Sequence, residues 1–248
     1  MRREDVVNDE LTLIQKTEGL TFGTDALLLA GYIGSGAARA LEIGTGSGIL
    51  PMLLAKRGKA KHITAVEVQE SYAALARENI EKNGLSDRVD VLCADVRTLP
   101  SSMCGSFDLV FSNPPYYRKE GAGKLCSLDE KSAARHELHG DIAELCAAAG
   151  RLLRFGGVFA AVYLPDRLCD LVAALRAGGI EPKRMTFVHA DRDAAPSLVL
   201  LLGKRGGKPG LTVTPPFFIY GKKDHKKTTD DYETIYETGN FPERFTNP

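Results

Sequence analysis

The chain has 248 residues, enough for one large domain with a sizeable core and a short extension. Its 32 Lys and Arg residues balance its 32 Asp and Glu residues, so no global charge attracts it to nucleic acid or to a membrane, and such a partner would need a local patch. The 5 cysteines are scattered without C-x-x-C or zinc-site spacing, which predicts reduced thiols in a cytoplasmic protein that has no metal site.

Residues 1–37 form a segment ahead of the first predicted strand of the main domain. The opening MRREDVVNDELTL is charged and has no apolar stretch typical of a secretory signal, and no later run is long enough to span a bilayer. We therefore expect a cytoplasmic protein without a membrane partner. Further along, GLTFGTDALLLAGYI predicts a turn and a short helix that pack on the main domain.

Residues 38–203 alternate apolar runs with amphipathic stretches, which is typical of a parallel sheet covered by helices. The predicted strands are ARALEIG, HITAVEV, RVDVLCAD, FDLVFS and VFAAVYL. Among the helices between them, SYAALARENIEKNG has Ser71 as its predicted N-cap and Gly84 as its stop. The predicted fold class is α/β, with a doubly wound and mostly parallel sheet.

Two further strands, KRMTFVHA and PSLVLLLGKR, are separated only by DRDAA. This connection is too short for a helical crossover, so the two strands are predicted to be antiparallel neighbours. The sheet is thus predicted to have seven strands and to end in an antiparallel hairpin, unlike a plain dinucleotide-binding domain. Residues 204–248 are predicted to form a basic and loosely ordered C-terminal extension.

A glycine-rich turn, LEIGTGSG, follows the first of these strands and contains Gly44, Gly46 and Gly48. Glycines at this position let a ligand approach the backbone and leave the N–H groups of the next helix available to a negative group. The spacing differs from the dinucleotide fingerprint, which needs a glycine where Ile49 stands, and from a P-loop. A purely structural turn is the alternative interpretation.

Acidic residues end the next two strands. Glu67 is placed where an acid can accept hydrogen bonds from both hydroxyls of a ribose, and Asp95 could accept one from an adenine amino group. The structural alternatives are a solvent-facing acid for Glu67 and an N-cap for Asp95. Because ligands of open α/β sheets bind at the carboxyl ends of the strands, these residues together predict a nucleoside pocket.

The fourth strand stops at Asn113-Pro114-Pro115-Tyr116. Two prolines lack N–H groups and hold extended φ angles, so the chain continues neither as sheet nor as helix. The oxygen of Asn113 and the carbonyl of Pro114 could accept both hydrogens of an amino group and stabilise its developing positive charge, while Tyr116 stacks on a base. The alternative is a double-proline turn with an aromatic plug.

The glycine turn, the two acids, the NPPY turn and the final hairpin resemble, in this order, the class I S-adenosylmethionine-dependent methyltransferases over residues 20–203. NPPY is similar to the [N/D]-P-P-[Y/F/W] signature of members that methylate an amide or an exocyclic amine. The resemblance implies S-adenosylmethionine as the cofactor and a methyltransferase domain over residues 38–203. The catalytic residues that it implies are Asn113, Pro114, Pro115 and Tyr116. The cofactor-binding residues that it implies are Phe22, Thr24, Asp25, Glu42, Gly44, Gly46, Gly48, Glu67, Val68, Asp95, Val96 and Asn113.

The segment LTFGTD, residues 20–25, adds to this resemblance. It is similar to the F-x-G-x-D segment that in amino methyltransferases lines the methionine end of the cofactor. Thr24 also suits the N-cap of the following helix, and both roles can coexist.

Two branches of the family share NPPY, one acting on adenine N6 in nucleic acid and the other on a glutamine side chain in a protein such as a release factor. The segments that flank the core, and the absence of a separate N-terminal helical domain, resemble the bacterial enzymes that methylate N6 of adenine 37 beside the anticodon of a valine tRNA. An adenine in such a loop can splay out and stack on aromatic rings.

Local basic groups give this assignment its physical support, because phosphates need them when the whole protein is neutral. The predicted RNA-binding residues are Arg118, Lys119, Arg135, Lys222, Lys223, Lys226 and Lys227. For the C-terminal lysines a solvated surface is the alternative. The favoured hypothesis is a monomeric tRNA adenine-N6 methyltransferase. A protein glutamine N5-methyltransferase and a non-catalytic cofactor-binding or nucleic-acid-binding protein remain open.

Overall fold

The computed structural model describes residues 2–8, 11–16, 23–114 and 142–246. In chain order the strands are β1 (Arg2–Asn8), β2 (Leu11–Lys16), β3 (Ala37–Ile43), β4 (Ala60–Glu67), β5 (Val89–Cys93), β6 (Phe107–Ser112), β7 (Leu153–Tyr163), β8 (Ile180–His189), β9 (Pro196–Arg205), β10 (Thr212–Val213) and β11 (Phe217–Phe218). The helices are α1 (Thr24–Tyr32), α2 (Ile49–Lys56), α3 (Glu70–Lys82), α4 (Ile142–Leu152), α5 (Leu168–Ala177), α6 (Asp230–Thr238) and α7 (Glu243–Thr246).

A mixed sheet runs through the molecule in the order β10-β8-β9-β7-β6-β3-β4-β5, with β11 also paired to β8. Strands β3 to β7 pair in parallel, and β9 is antiparallel to both β7 and β8. The predicted α/β fold and its closing hairpin are therefore confirmed. The seven predicted strands become nine because the two-residue strands β10 and β11 add to β8 in parallel.

Both faces of this sheet are covered, which gives the molecule two hydrophobic cores. Along β7, Ala160 and Val162 join the core under α1, α2 and the C-terminal helices, whereas Phe159 and Ala161 join the core under α4 and α5. Successive residues of a strand point to opposite faces, so a strand with both faces buried is apolar throughout. The strands of the site are thus fixed between two layers of helices. Among the helices of the described residues, none is long and apolar enough to cross a membrane.

The N-terminal segment contains a feature that the sequence did not predict. Strands β1 and β2 form an antiparallel hairpin that lies apart from the main sheet and contacts α3. Ion pairs from Arg2 to Glu78 (2.7 Å) and from Lys82 to Glu4 (2.6 Å) join the hairpin to that helix. The short helix predicted after it is confirmed as α1.

The predicted cap of α3 was wrong. The helix begins at Glu70, and Gln69 occupies the N-cap position. Ser71 therefore lies inside the helix, and its hydroxyl accepts a hydrogen bond from Lys16 Nζ at 2.9 Å. The Ser71 hydroxyl thus forms a contact with the hairpin and does not cap the helix.

The prediction that the C-terminal segment is loosely ordered was also wrong. Phe241 and Phe245 are almost fully buried, and their rings lie 5.0 and 5.5 Å from the ring of Phe217. The ring of Tyr32 on α1 lies 5.2 Å from Phe241. Tyr32, Phe217 and the Phe241–Phe245 pair are far apart in the sequence, so no local pattern joins them, and together they belong to the core beneath α1. The division of the chain at residues 37 and 203 stays a prediction.

Candidate active site

The predicted site residues lie at the carboxyl ends of neighbouring parallel strands. Ile43 of β3 pairs with Val66 of β4, and the hydroxyl of Ser112, which ends β6, donates to the Ile43 carbonyl at 2.8 Å. The glycine turn, Glu67 and Asn113 directly follow or end these three strands. The structure therefore brings them to the same edge of the sheet, where ligands of open α/β sheets bind.

The glycine turn adopts a backbone that favours glycine at each of its three positions. Gly44, Gly46 and Gly48 have φ values of 76°, 56° and 84°. A Cβ atom added at Gly48 would lie 3.2 Å from Ala76 Cβ, so this glycine allows α3 to pack closely. Cβ atoms added at Gly44 and Gly46 would meet nothing within 4 Å, so these two glycines border open space. Such an open backbone fits a nucleoside cofactor that approaches the turn.

Glu67 is almost buried and is oriented by the backbone around it. Its Oε2 accepts a hydrogen bond from the N–H of Gly46 and its Oε1 one from the N–H of Gln69, both at 2.9 Å. The alternative of a solvent-facing acid is excluded, because only 6% of the residue is exposed. Each carboxylate oxygen has a further lone pair, so the group can still accept hydrogen bonds from ribose hydroxyls. The next residue, Val68, is exposed at the edge of the site.

Glu42 lies deeper than a cofactor contact requires. It is 2% exposed, and the hydroxyl of Thr45 in the glycine turn donates a hydrogen bond to its carboxyl group. Burial raises the pKa of Glu42 well above its ordinary value, the Thr45 hydrogen bond opposes this, and the charge of Glu67 adds to it. The structure thus places a carboxyl group with a raised pKa beneath the turn, and the contact of Glu42 with the cofactor stays a prediction.

Asp95 has the structural role that the sequence left open as its alternative. It is the N-cap of a 3-10 turn over Val96–Thr98, and its Oδ1 accepts from the N–H of Arg97 at 2.9 Å. The Arg97 guanidinium also contacts both carboxylate oxygens and reaches Glu144 on α4. Val96 is half-buried against the core beneath that helix. The contacts of Asp95 and Val96 with the cofactor stay predictions.

The catalytic motif and the N-terminal F-x-G-x-D segment meet in the structure. Asn113 Nδ2 donates a hydrogen bond of 2.9 Å to Asp25 Oδ2 across 88 positions of sequence. The other oxygen of Asp25 accepts from the N–H of Ala26 at 2.9 Å, which fixes the carboxylate at the start of α1. With its NH2 end held by Asp25, the carboxamide of Asn113 has its oxygen as the acceptor end. Both residues were predicted from separate motifs, but their contact was not.

Thr24 is not the N-cap of α1, as the sequence had predicted. Gly23 occupies that position, and no side chain caps the helix. Helix α6 contacts α1, and Thr24 and Tyr232 line the same surface cavity. The C-terminal segment therefore supports the start of α1, beside the Asp25–Asn113 pair.

The predicted lysines of the C-terminal segment lie on a surface loop, residues 221–227, which we call the lysine loop. Lys222, Lys223, Lys226 and Lys227 are all exposed, and within the described residues no carboxylate pairs with their ammonium groups. Within the loop, His225 Nε2 lies 2.8 Å from the buried Asp191 Oδ2, and its ring stacks on Tyr220 at 4.5 Å. This hydrogen bond is the largest cause that lowers the pKa of Asp191.

Several predicted residues lie outside the described residues, and their roles stay predictions: Phe22, Pro115, Tyr116, Arg118, Lys119 and Arg135. Pro114 is described and is buried. Within the described ranges, no group of three or more His, Cys, Asp or Glu residues is placed to hold a metal ion.

Comparison with solved structures supports the fold. A predicted O-methyltransferase from Agrobacterium tumefaciens superposes with a TM-score of 0.70 at 22% identity, covering 88% of this chain and 98% of the other. The TYW2 protein of P. horikoshii, solved in complex with MeSAdo, superposes with a TM-score of 0.59 at 15% identity, covering 83% and 72%. A family described as "Methyltransferase domain" matches residues 40–124. Fold and site together define a class I S-adenosylmethionine-dependent N-methyltransferase.

Relatives with higher sequence identity specify the family within this class. A protein of Tolumonas auensis named tRNA1(Val) (adenine(37)-N6)-methyltransferase is 37% identical over 192 residues, which are 77% of this chain and 78% of the relative. A protein of the same name from Phocaeicola vulgatus is 30% identical over 196 residues, covering 79% and 81%. The chain belongs to the family of these bacterial methyltransferases.

Proposed function

We propose that this enzyme methylates N6 of an adenine in tRNA, at position 37 of the anticodon loop, the position that its relatives' names give. The observation that carries the proposal is the hydrogen bond between Asn113 and Asp25, which presents the amide oxygen as an acceptor at the edge of the cofactor site. The proposal also assigns the enzyme to the cytoplasm and to action as a monomer.

The cofactor supplies an electrophilic methyl group. The N6 atom of adenine is a poor nucleophile, because its lone pair is delocalised into the ring, and it carries two hydrogens. Asn113 Oδ1 and the Pro114 carbonyl would accept these hydrogens, hold the nitrogen in line and stabilise the positive charge that develops on it. The negative charge of Asp25 at the NH2 end polarises the carboxamide and strengthens its oxygen as an acceptor.

The lysine loop supports an RNA partner. Thr229, just after the loop, caps α6 by accepting from the N–H of Tyr232, and α6 contacts α1, the helix that carries Asp25. Exposed ammonium groups thus lie on a segment that is joined through a few contacts to the catalytic pair. In a protein with no net charge, such a patch is the place where tRNA phosphates would bind.

The proposal is tested by supplying purified enzyme with methyl-labelled cofactor and three acceptors: a tRNA1(Val) transcript, the same transcript with guanine at position 37, and a translation release factor. We expect label in the first transcript only, recovered as N6-methyladenine by mass spectrometry of nucleosides. Label in the polypeptide with none in RNA would contradict the proposal and favour glutamine N5 methylation.

Two variants test the catalytic pair in the same assay. Asn113→Ala should abolish transfer and leave the affinity for S-adenosylhomocysteine within about twofold, because the amide acts on the acceptor. Asp25→Ala should lower kcat about 100-fold by misplacing the amide. Retained activity of Asn113→Ala would remove the assignment of this turn as catalytic.

A further inference from the structure

Asn79, on helix α3, binds two parts of the molecule that are distant in sequence, and neither the motifs nor the mechanism accounts for it. Its side chain is fully buried. Its Nδ2 donates to the carbonyl of Ser47 in the glycine turn at 2.9 Å and to the carbonyl of Ile14 in β2 at 2.8 Å. Its Oδ1 accepts from the N–H of Ile14 at 2.7 Å. One carboxamide thus joins the turn to the N-terminal hairpin.

Asn83, one helical turn further on, repeats half of this arrangement. Its Oδ1 accepts from the N–H of Thr12 at 3.0 Å and its Nδ2 donates to the Thr12 carbonyl at 2.8 Å. Thr12 and Ile14 are alternate residues of β2, so the two carboxamides pair with one edge of that strand while β1 pairs with the other. The remaining hydrogen bonds of Asn83 go to Met52 and to the Asn79 carbonyl, and both lie outside the glycine turn.

Helix α3 determines the shape of the glycine turn at two successive positions on one face. Ala76 packs against Gly48, where an added Cβ would lie 3.2 Å away. Asn79, three residues later, holds the carbonyl of Ser47. Ser47 is half-buried, and a carbonyl that loses its hydrogen-bond partner is disfavoured there, so loss of Asn79 would favour a rearranged turn in which Ser47 finds another donor. The open backbone at Gly44 and Gly46 would then change its position.

We propose that Asn79 is a positioning residue that couples docking of the N-terminal hairpin to cofactor binding at the glycine turn. When the hairpin is docked, the Ile14 backbone holds the carboxamide in the orientation that Ser47 requires. Helix α1 follows β2 in the chain and carries Asp25, which holds Asn113. Hairpin docking and cofactor binding therefore stabilise each other to the same extent, because coupling between two sites is reciprocal. The inference depends on the cofactor and not on which amino group is methylated.

The test compares Asn79→Ala with Asn83→Ala, since each variant removes a carboxamide from β2 but only the first also releases the glycine turn. Titration calorimetry with S-adenosylhomocysteine should show a Kd raised about tenfold in Asn79→Ala and less than about threefold in Asn83→Ala. Hydrogen exchange at the amides of Thr12 and Ile14 should slow on adding S-adenosylhomocysteine to the wild-type protein, and the Ile14 amide, which keeps its acceptor Asn79, should respond in the same way in Asn83→Ala. In Asn79→Ala the response should be lost at the Thr12 amide, which keeps its acceptor Asn83.

Equal rises of Kd in the two variants would overturn the assignment to Asn79, because hairpin loss alone would then explain the effect. An unchanged Kd in folded Asn79→Ala would overturn it as well. If that variant does not fold, the wild-type protein still tests the proposal. Hydrogen exchange at the β2 amides that does not change on adding S-adenosylhomocysteine would contradict the coupling. All these readouts use binding without an acceptor, so a failure to methylate tRNA leaves them interpretable.

Discussion

Two carboxyl groups beside the glycine turn, those of Glu42 and Glu67, have different environments. Glu67 accepts hydrogen bonds from two backbone N–H groups, whereas Glu42 is enclosed in the interior with the Thr45 hydroxyl as a donor. Burial is the main reason that the pKa of Glu42 lies well above 4.5, its ordinary value. Two neighbouring carboxyl groups can therefore serve as a buried support with a raised pKa and as a ligand for ribose hydroxyls.

Replacement of Glu42 by Gln should change how stability depends on pH. Above the ordinary pKa of 4.5 the unfolded chain loses this proton while the folded protein keeps it. The wild-type free energy of unfolding therefore falls as pH rises from this value towards the raised folded pKa, by up to about 1.4 kcal/mol per pH unit. Glu42→Gln still accepts from Thr45 and does not titrate, so its stability relative to wild type should rise as the pH increases above about 5.

Urea unfolding across this pH range measures the effect, with Glu81→Gln as the control because Glu81 is an exposed glutamate on α3. The control should follow the wild-type curve. Parallel curves for Glu42→Gln and wild type would show that Glu42 is ionised in the folded protein.

Helix α1 depends on other elements at both of its ends. At its start, Asp25 binds Asn113, and the helix also contacts α6. At its end, the buried Lys59 donates from Nζ to the carbonyls of Ala30 (2.8 Å), Gly31 (3.1 Å) and Ile33 (2.6 Å). Carbonyl groups at a helix end have no partner within the helix, and a cation there is favourable. Lys59, directly before β4, thereby positions the helix that carries Asp25.

Replacement of Lys59 by Met should destabilise the protein, because three carbonyl groups at the end of α1 lose their donor. We expect the free energy of unfolding to fall by about 3 kcal/mol in urea denaturation. The control is Lys61→Met, two residues along the chain at an exposed position, which should cost less than about 0.5 kcal/mol. Equal effects of the two substitutions would mean that the carbonyl groups find other donors.

The elements that could be predicted from the sequence are stabilised by burial of their own apolar residues, whereas the hairpin that was missed is stabilised by contacts with distant residues. The strands of the main sheet have both faces buried, so their apolar runs are visible locally. Strand β1 instead carries Arg2, Glu4 and other charged groups, and its docking depends on the distant partners Glu78 and Lys82. A local sequence pattern cannot indicate ion pairs between residues so far apart in the chain.

The same distinction applies to the candidate site. The glycine turn, Glu67 and Asn113 could be predicted, because each follows a strand and strand ends meet at one edge. The Asp25–Asn113 hydrogen bond could not, since it requires the docked position of α1. The role of Asn79 could not be predicted for a similar reason, because an asparagine within a helical pattern is ordinarily interpreted as a surface residue.

The molecule as a whole has no net charge, but its charged groups are unevenly distributed over the surface. The lysine loop carries four exposed lysines and is anchored through His225 to Asp191. A fixed loop presents its charges at defined positions, and each phosphate that it neutralises releases counterions. Binding of tRNA should therefore depend strongly on salt even though the protein as a whole is neutral.

Conversion of the four lysines Lys222, Lys223, Lys226 and Lys227 to Gln should weaken tRNA binding. The slope of log Kd against log salt should fall by about one for each phosphate that the loop no longer neutralises. Affinity for S-adenosylhomocysteine should not change, which separates RNA binding from misfolding. Lys61→Gln, at an exposed position of β4, is the control for the loss of a single lysine charge. Filter binding at several salt concentrations gives the slopes, and an unchanged slope would place the RNA elsewhere.

Strand β9 follows β7 and β8 in the chain but lies between them in the sheet. As the polypeptide emerges from the ribosome, both neighbours are therefore made before the strand that separates them. Until Arg205 has left the exit tunnel, β7 and β8 each present an unpaired edge, which is a template for pairing with other chains. Slow decoding of this strand would therefore prolong the exposure of these edges to aggregation.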